Sequence, residues 1–395
     1  MGQAASTERL PPVLWPLMFG NVVIGTGVMV VAGLINEIHS ALEVPITTAG
    51  QLISGAALLV CLGAPVLAML VTRWDRRRLL VGSLLWCAGF HALASVAPGF
   101  DSLLTFRVLA MVSAAVFTPQ AAACIGLLVP EHQRGRGITF VFLGWSVASV
   151  LGTPLGAWIG GTLGWRWTMG LMTVLSLIAA LWLHARMPRG VVPPPLSARA
   201  WRQTLLSPTL LLTLSITIVS AAGQFVFLSY MAPYVAHRFE LGAGAISTLL
   251  LVYGLCGFAG NATVSRWIDR IGPPRAMAWA LGSVALGLGL ASLTGSFTAL
   301  VLAIVPWGLG GFASNSAQQA RLVNLAPMLA PASIALNTSA LYAGQAIGAS
   351  SGGWLIPQLG LSVLPAAGSI GVACALGLSW WADRQAQRHP VRAGA

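Results

Sequence analysis

The chain has 395 residues, of which 56% are hydrophobic and 8% charged, and a formal net charge of +12. A soluble domain carries about a quarter charged residues, so this composition excludes one and identifies lipid as the solvent. The positive charge, which in a soluble protein would suggest nucleic acid, is the bias expected of loops on the inner side of a membrane, so no nucleic-acid partner is expected.

The N-terminal stretch MGQAASTERLPP has one arginine, Arg9, and no small-residue cleavage site, so the apolar run at 12–36 reads as a first span rather than a removable signal peptide. Eleven more runs follow near 45–71, 79–97, 102–129, 137–160, 166–184, 207–235, 244–264, 276–294, 298–320, 332–356 and 362–381. Each can supply the roughly 20 helical residues that cross a hydrocarbon core, and none shows the alternation of a β-barrel strand. Twelve transmembrane helices use nearly the whole chain, giving an all-α integral membrane fold.

Between runs 6 and 7, HARMPRGVVPPPLSARAWRQ (184–203) has four prolines, four arginines and no apolar periodicity. It predicts a linker at 186–206 joining two six-helix halves, 1–185 and 207–395. If the N-terminus is cytoplasmic, 18 of the 21 basic residues lie on the inner side, Arg166 and Arg238 lie outside and Arg107 sits within a span. That distribution predicts both termini in the cytoplasm of a bacterial inner membrane. Cys61, Cys87, Cys124, Cys256 and Cys374 sit singly, with no paired spacing and no histidine at ligand distance, so inert thiols are expected and no metal or cofactor.

The halves repeat one another. Span 2 runs into VTRWDRRRLL (71–80) and span 8 into VSRWIDRIGPPR (264–275), each a short arginine-rich turn holding an aspartate. Span 5 carries Gly152, Gly156 and Gly160, and span 11 carries Gly344, Gly348 and Gly352, at the same four-residue steps. Such smooth faces let helix backbones approach closely in a bilayer.

The stretches VIGTGVMVVAGLINEI in span 1, SVASVLGTPLGAWIGG followed by LGWRW around span 5, and AAGQFVFLSYMAP in span 7 resemble the major facilitator superfamily, particularly its twelve-span drug:proton antiporter and arabinose-efflux-like branch. The resemblance implies two pseudo-symmetric halves rocking about a central cavity, exchanging a small-molecule substrate against protons, as a monomer. It implies that Gly152, Pro154 and Gly156 form a bent, close-packed gating segment. It also implies an inner gate latch in the turn after span 2, where Ala68, Thr72, Arg73, Trp74, Asp75, Arg76 and Arg77 occupy the family positions and the aspartate has moved onto a glycine's place. The copy after span 8 keeps Asp269 and Arg270 in order. The alternative is that these arginines only anchor cytoplasmic turns.

Arg107 is the one charge in the run 102–129. A charge in a span costs about 2.5–3.5 kcal/mol on insertion scales, so it faces the protein interior or snorkels to the outer headgroups. It matches the span-4 arginine that the superfamily associates with proton coupling, although Met111 replaces that motif's glycine. None of the nine acids lies at a span centre, and Val28 stands where many relatives carry a span-1 glutamate. Glu37, ending span 1, and Asp101, opening span 4, are the carboxylates placed to pair with Arg107; a solvated helix-end acid is the other reading of Glu37. His39 and His91 are further candidates near the same side.

Polar residues inside spans mark the expected substrate site between the halves: Asn21, Thr26, Gln120, Gln224, Tyr230, Tyr234, Asn315, Gln318, Asn337, Tyr342 and Gln345, with interhelical hydrogen bonding as the competing role for each. Trp145, Phe225, Phe227 and Met231 could add an adaptable wall, and Trp165, Trp167, Trp380 and Trp381 read as interface anchors. With no internal carboxylate, the cavity suits a neutral or anionic guest such as a sugar, nucleoside or phenicol-like compound. The expectation is export by alternating access, driven by protons, with an uncoupled facilitator or uptake carrier as the alternative. No HExxH, paired-carboxylate or Walker constellation argues for an enzyme, and no output domain argues for a sensor.

Overall fold

The computed structural model describes residues 11–130, 133–192 and 198–388. Glu8, Arg9, Glu131 and Arg392, which enter the counts of acids and inner arginines above, lie outside the described residues.

Eleven helical segments are long and apolar enough to cross a bilayer: Leu14–Gly33, Ile46–Leu70, Arg76–Ser95, Phe100–Leu128, Arg136–Leu163, Trp165–Arg186, Pro208–Phe239, Ala243–Ile271, Pro273–Ser292, Phe297–Leu325 and Leu361–Gln385. The helix Ala330–Leu359, 30 residues long, takes the eleventh place in chain order and completes twelve. These are spans 1 to 12. Their outer faces are apolar, with Leu62, Leu181 and Leu302 each more than 60% exposed, as lipid-facing residues should be.

Punctuation follows the sequence. Asp75, Ser207 and Ser296 cap the starts of spans 3, 7 and 10 through their side chains. Spans 5 and 11 turn into spans 6 and 12 on Gly164 (φ 100°) and Gly360 (φ 78°), a left-handed backbone that glycine enters without penalty. The two non-glycine residues at positive φ are another matched pair. Glu43 (φ 53°) ends the short helix Ile35–Leu42 that follows span 1, and Glu240 (φ 57°) ends Met231–Phe239, which completes span 7.

The glycine faces explain the packing inside each half. A methyl at Gly152 or Gly156 would strike Thr26 or Val30 of span 1, and one at Gly344, Gly348 or Gly352 would strike span 7 around Ile218, Ala222 and Val226. Span 11 therefore meets span 7 backbone to backbone, whereas the span 5 glycines receive the Thr26 and Val30 side chains of span 1. Ahead of Pro154 the helix widens into a π-turn over Ala148–Gly152, which absorbs the hydrogen bond the proline cannot make.

Two large cores result, one in each half. Tyr342 and Ala349, both on span 11, are buried in cores built by the first half, and Ala157 of span 5 makes the reverse contribution. The halves meet along spans 2 and 11 and along spans 5 and 8. They also meet where Ile35–Leu42 packs on Met231–Phe239, at the end opposite the linker. There Gly161 abuts Ala243 and Gly50 abuts the Tyr230 hydroxyl. That end of the bundle is closed.

Candidate functional site

Span 4 is broken at Met111 into Phe100–Ala110 and Val112–Leu128, and Arg107 occupies the last turn before the break. Its side chain is 2% exposed, so the interior reading holds and the snorkelling one does not. The Nη2 group donates to the carbonyl oxygen of Val28 at 3.1 Å. That carbonyl is available because span 1 passes from α-helix to a 3₁₀ turn at Val30–Gly33, where the i to i+4 pattern lapses. Nε and Nη1 are buried without a hydrogen-bond partner. Cys87 of span 3 and Tyr342 of the other half are buried in the same core as Ala110 and Met111, the residues that follow Arg107's turn.

Neither expected carboxylate reaches Arg107. Asp101 is exposed on the first turn of span 4. Glu37 lies instead in the closed end: its Oε2 is buried with no partner, and its Oε1 is 3.2 Å from where a Gly161 Cβ would stand, beside the contact of Gly161 with Ala243. Burial pushes the Glu37 carboxyl above its ordinary range, against a smaller opposing effect of a backbone hydrogen bond. It is therefore a half-buried carboxyl in the seam between the halves. His39 Nδ1 lies 2.6 Å from the Val44 carbonyl and serves the local turn. His91 is 1% exposed, with Nδ1 2.8 Å from the Cys87 carbonyl oxygen and Nε2 buried and unpartnered.

The polar span residues fall into separate groups rather than one ring. Asn21 donates to the Val141 carbonyl at 3.0 Å and accepts from Thr118 at 2.8 Å, tying span 1 to spans 5 and 4. In the second half Thr217 donates to Asn337 at 2.6 Å, Asn337 to Asn315 at 3.0 Å, and Gln318 to Thr217 at 3.1 Å. For these residues interhelical bonding, the competing role, is the one observed. Gln318 retains a buried Oε1 with no partner. Gln224 accepts from Trp307 Nε1 at 3.3 Å. Tyr230 donates to the Ala349 carbonyl at 2.8 Å, and Tyr234 sets its ring edge-on to Phe227. Thr26 packs on Gly152, and Gln120, Tyr342 and Gln345 are buried near mid-span.

Trp165 is 1% exposed and belongs to the core, not to the interface, whereas Trp167, Trp380 and Trp381 are exposed as anchors should be. Thr118 and Trp307, partners of the polar site, were not singled out in the sequence; each adjoins a proline inside its span, Pro119 and Pro306, which is the signal that marks them.

Among the described residues the latch side chains make no charge pair across the halves. Asp75 accepts from the backbone N–H of Arg78 at 3.1 Å and from Gly190 in the linker region. Burial pushes its carboxyl up, but those backbone donors, Arg77 N–H and the Arg78 charge outweigh it and hold it below the usual carboxylate range. Arg76 is buried and donates to the Val71, Trp74 and Thr72 carbonyls, while Arg73, Asp269 and Arg270 are exposed and Arg77 is half-buried. Among the described residues the ion pair is Arg321 with Asp383, at 2.8 Å, inside the second half. A cavity of about 270 Å³ opens between the halves at the closed end, lined by Thr47, Thr48, Gln51, Ser54, Tyr230 and Ser350 among others.

The family model of the Major Facilitator Superfamily matches residues 17–231 and 213–395. The chloramphenicol resistance protein of Streptomyces lividans is 32% identical over 346 residues, covering 86% of this chain and 88% of that one. A probable sugar efflux transporter of Mannheimia succiniciproducens is 25% identical, with 90% and 89% covered. Among solved structures, an inward-facing, occupied bacterial homologue of the lysosomal transporter Spinster superposes with a TM-score of 0.74 at 15% identity, covering 97% of this chain and 98% of that one. A POT family transporter bound to 5-aminolevulinic acid gives a TM-score of 0.78 at 15% identity, covering 95% and 96%.

Proposed function

Because this chain belongs to the Major Facilitator Superfamily, we propose that it exports a small neutral or anionic organic compound from a bacterial cell by proton-driven alternating access. The observation that carries this reading is the bridge at mid-depth. Tyr342 of the second half enters the first half's core beside the incompletely bonded Arg107, so a rocking motion of the halves must change the surroundings of a buried charge. A buried charge whose partners change between two conformations can exchange a proton or an anionic group on each cycle.

The arginine distribution makes the linker end cytoplasmic. The conformation described, closed at the opposite end, is then the inward-facing one. Asp75 and Arg76, bonded within their own half, fit an inner latch that has been released. The substrate class follows from charge. Among the described residues no carboxylate lies near mid-span, which disfavours a cationic guest, and the efflux-type relatives named above support a phenicol-like or sugar-like compound.

Everted membrane vesicles given labelled chloramphenicol, and separately a panel of labelled sugars and nucleosides, in the outside medium test the proposal. Uptake into such vesicles, stimulated by an inwardly acidic interior, is the expected result; uptake that ignores the gradient would leave a facilitator, the reading that Val28 in span 1 favours.

A further inference from the structure

We propose that His91 is the proton-binding site of this carrier, an assignment that rests on the proton-coupled reading above. The Nδ1 atom lies 2.8 Å from the carbonyl oxygen of Cys87, one turn earlier on span 3, and 3.4 Å from its Sγ. A carbonyl only accepts, so Nδ1 carries the hydrogen and Nε2 is left as a bare lone pair. That atom is buried, has no donor, and faces span 1 at Gly27, where an added methyl would stand 3.7 Å from both Nε2 and Cε1. A basic nitrogen buried without a protein partner is a candidate proton site.

The groups around it come from five spans. Span 3 supplies Cys87; Ser113 of span 4 and Ser176 of span 6 are buried, their hydroxyls donating to the Ala110 and Met172 carbonyls of their own helices. Span 6 also brings Met172 to the same glycine, and span 1 brings Gly27 and Val28, with no acid. Among the described residues the charged group of this cluster is Arg107 of span 4, bonded to the Val28 carbonyl next to Gly27, with Tyr342 of span 11 in the same core. In the conformation described, a proton on Nε2 would therefore add a second buried cation to the cluster that holds Arg107, with no acceptor for the new N–H.

The other conformation differs at this point. Parting of the halves at the end opposite the linker withdraws Tyr342 and admits water to a cluster that lies near that end of span 3. The Nε2 lone pair then takes a proton from water, giving an imidazolium. Closure restores the buried pocket, where the Nε2–H of the imidazolium has no acceptor, and the proton is released to water that reaches the cluster between the halves from the linker side. Proton binding outside and release inside is the direction that drives export.

The test needs no substrate. Fluorophores carried on p-acetylphenylalanine at Thr162 and Gly244, both exposed at the closed end, report closure in nanodiscs with Cys87 left in place. Between pH 8 and pH 5.5 the wild-type ratio of closed to open molecules should fall, by at most about tenfold per pH unit for one proton. In His91→Gln that fall should vanish, leaving only the opposite response of Glu37, whose burial makes acid favour closure; in Glu37→Gln the fall should persist. His91→Asn is the second variant should the first not fold. A wild-type fall retained in either His91 variant, or abolished by Glu37→Gln, overturns His91 while leaving proton coupling intact. No fall in the wild type, together with gradient-independent vesicle uptake, overturns both.

Discussion

The Arg107 guanidinium donates to the carbonyl oxygen of Val28 across 3.1 Å, so span 4 holds span 1 where its helix changes from α to 3₁₀. This one hydrogen bond is charge-assisted and sits in a dry interior, and the remaining two nitrogens wait for partners.

Arg107→Gln should insert and fold but lose gradient-driven transport by roughly ten- to 150-fold, the equivalent of the ~1.5–3 kcal/mol carried by a hydrogen bond to a charged group. Arg107→Lys should restore only part, because an ammonium lacks the planar fork. Initial rates in proteoliposomes decide it, and a normal rate in the glutamine variant would make Arg107 a structural anchor.

Glu37 sets a second pH dependence. Its folded-state pKa is raised by burial in the closed end, so the protonated form stabilises that end. The contribution is complete below the ordinary carboxylate pKa and is lost as pH climbs through the raised one. Thermal unfolding of Glu37→Gln should be flatter than wild type across that window, and at its upper edge the variant should be the more stable.

Tyr230→Phe removes the 2.8 Å bond to the Ala349 carbonyl while keeping the ring that fills the seam. The closed end should weaken by ~0.5–1.5 kcal/mol. The closed-to-open ratio at Thr162 and Gly244 should drop roughly two- to tenfold, with expression unchanged.

Gly348→Val should destabilise the second half by ~1–3 kcal/mol, since its side chain would press into the Ala222 carbonyl and Phe225. Gly89→Ala, where an added methyl meets nothing within 4 Å, is the control and should leave the melting temperature unaltered or slightly raised. Equal losses in both would argue against the backbone-to-backbone packing of spans 7 and 11.

Much of the fold was readable because its cues are local. A run of about twenty apolar residues has one stable form in lipid, and the breaks fall on Asp75, Gly164, Ser207 and Gly360, which cap or turn the chain by their own geometry. The site was less legible. Asn21, Asn337 and Gln318 have the residue types of a substrate site, yet they are consumed by neighbouring helices, and nothing in a one-dimensional pattern distinguishes a polar group that binds a guest from one that binds a helix.

The sequence by itself determined that the chain crosses a membrane as a duplicated set of helices, that the glycine faces of spans 5 and 11 need close partners, and that Arg107 must avoid lipid. Only the tertiary structure decided which spans those faces meet, that Glu37 belongs to the seam rather than to Arg107, and that Tyr342 crosses from one half into the core of the other. The reason is that solvation by lipid acts on each segment separately, whereas partnership of a buried polar group depends on which distant helix stands within about 3 Å of it.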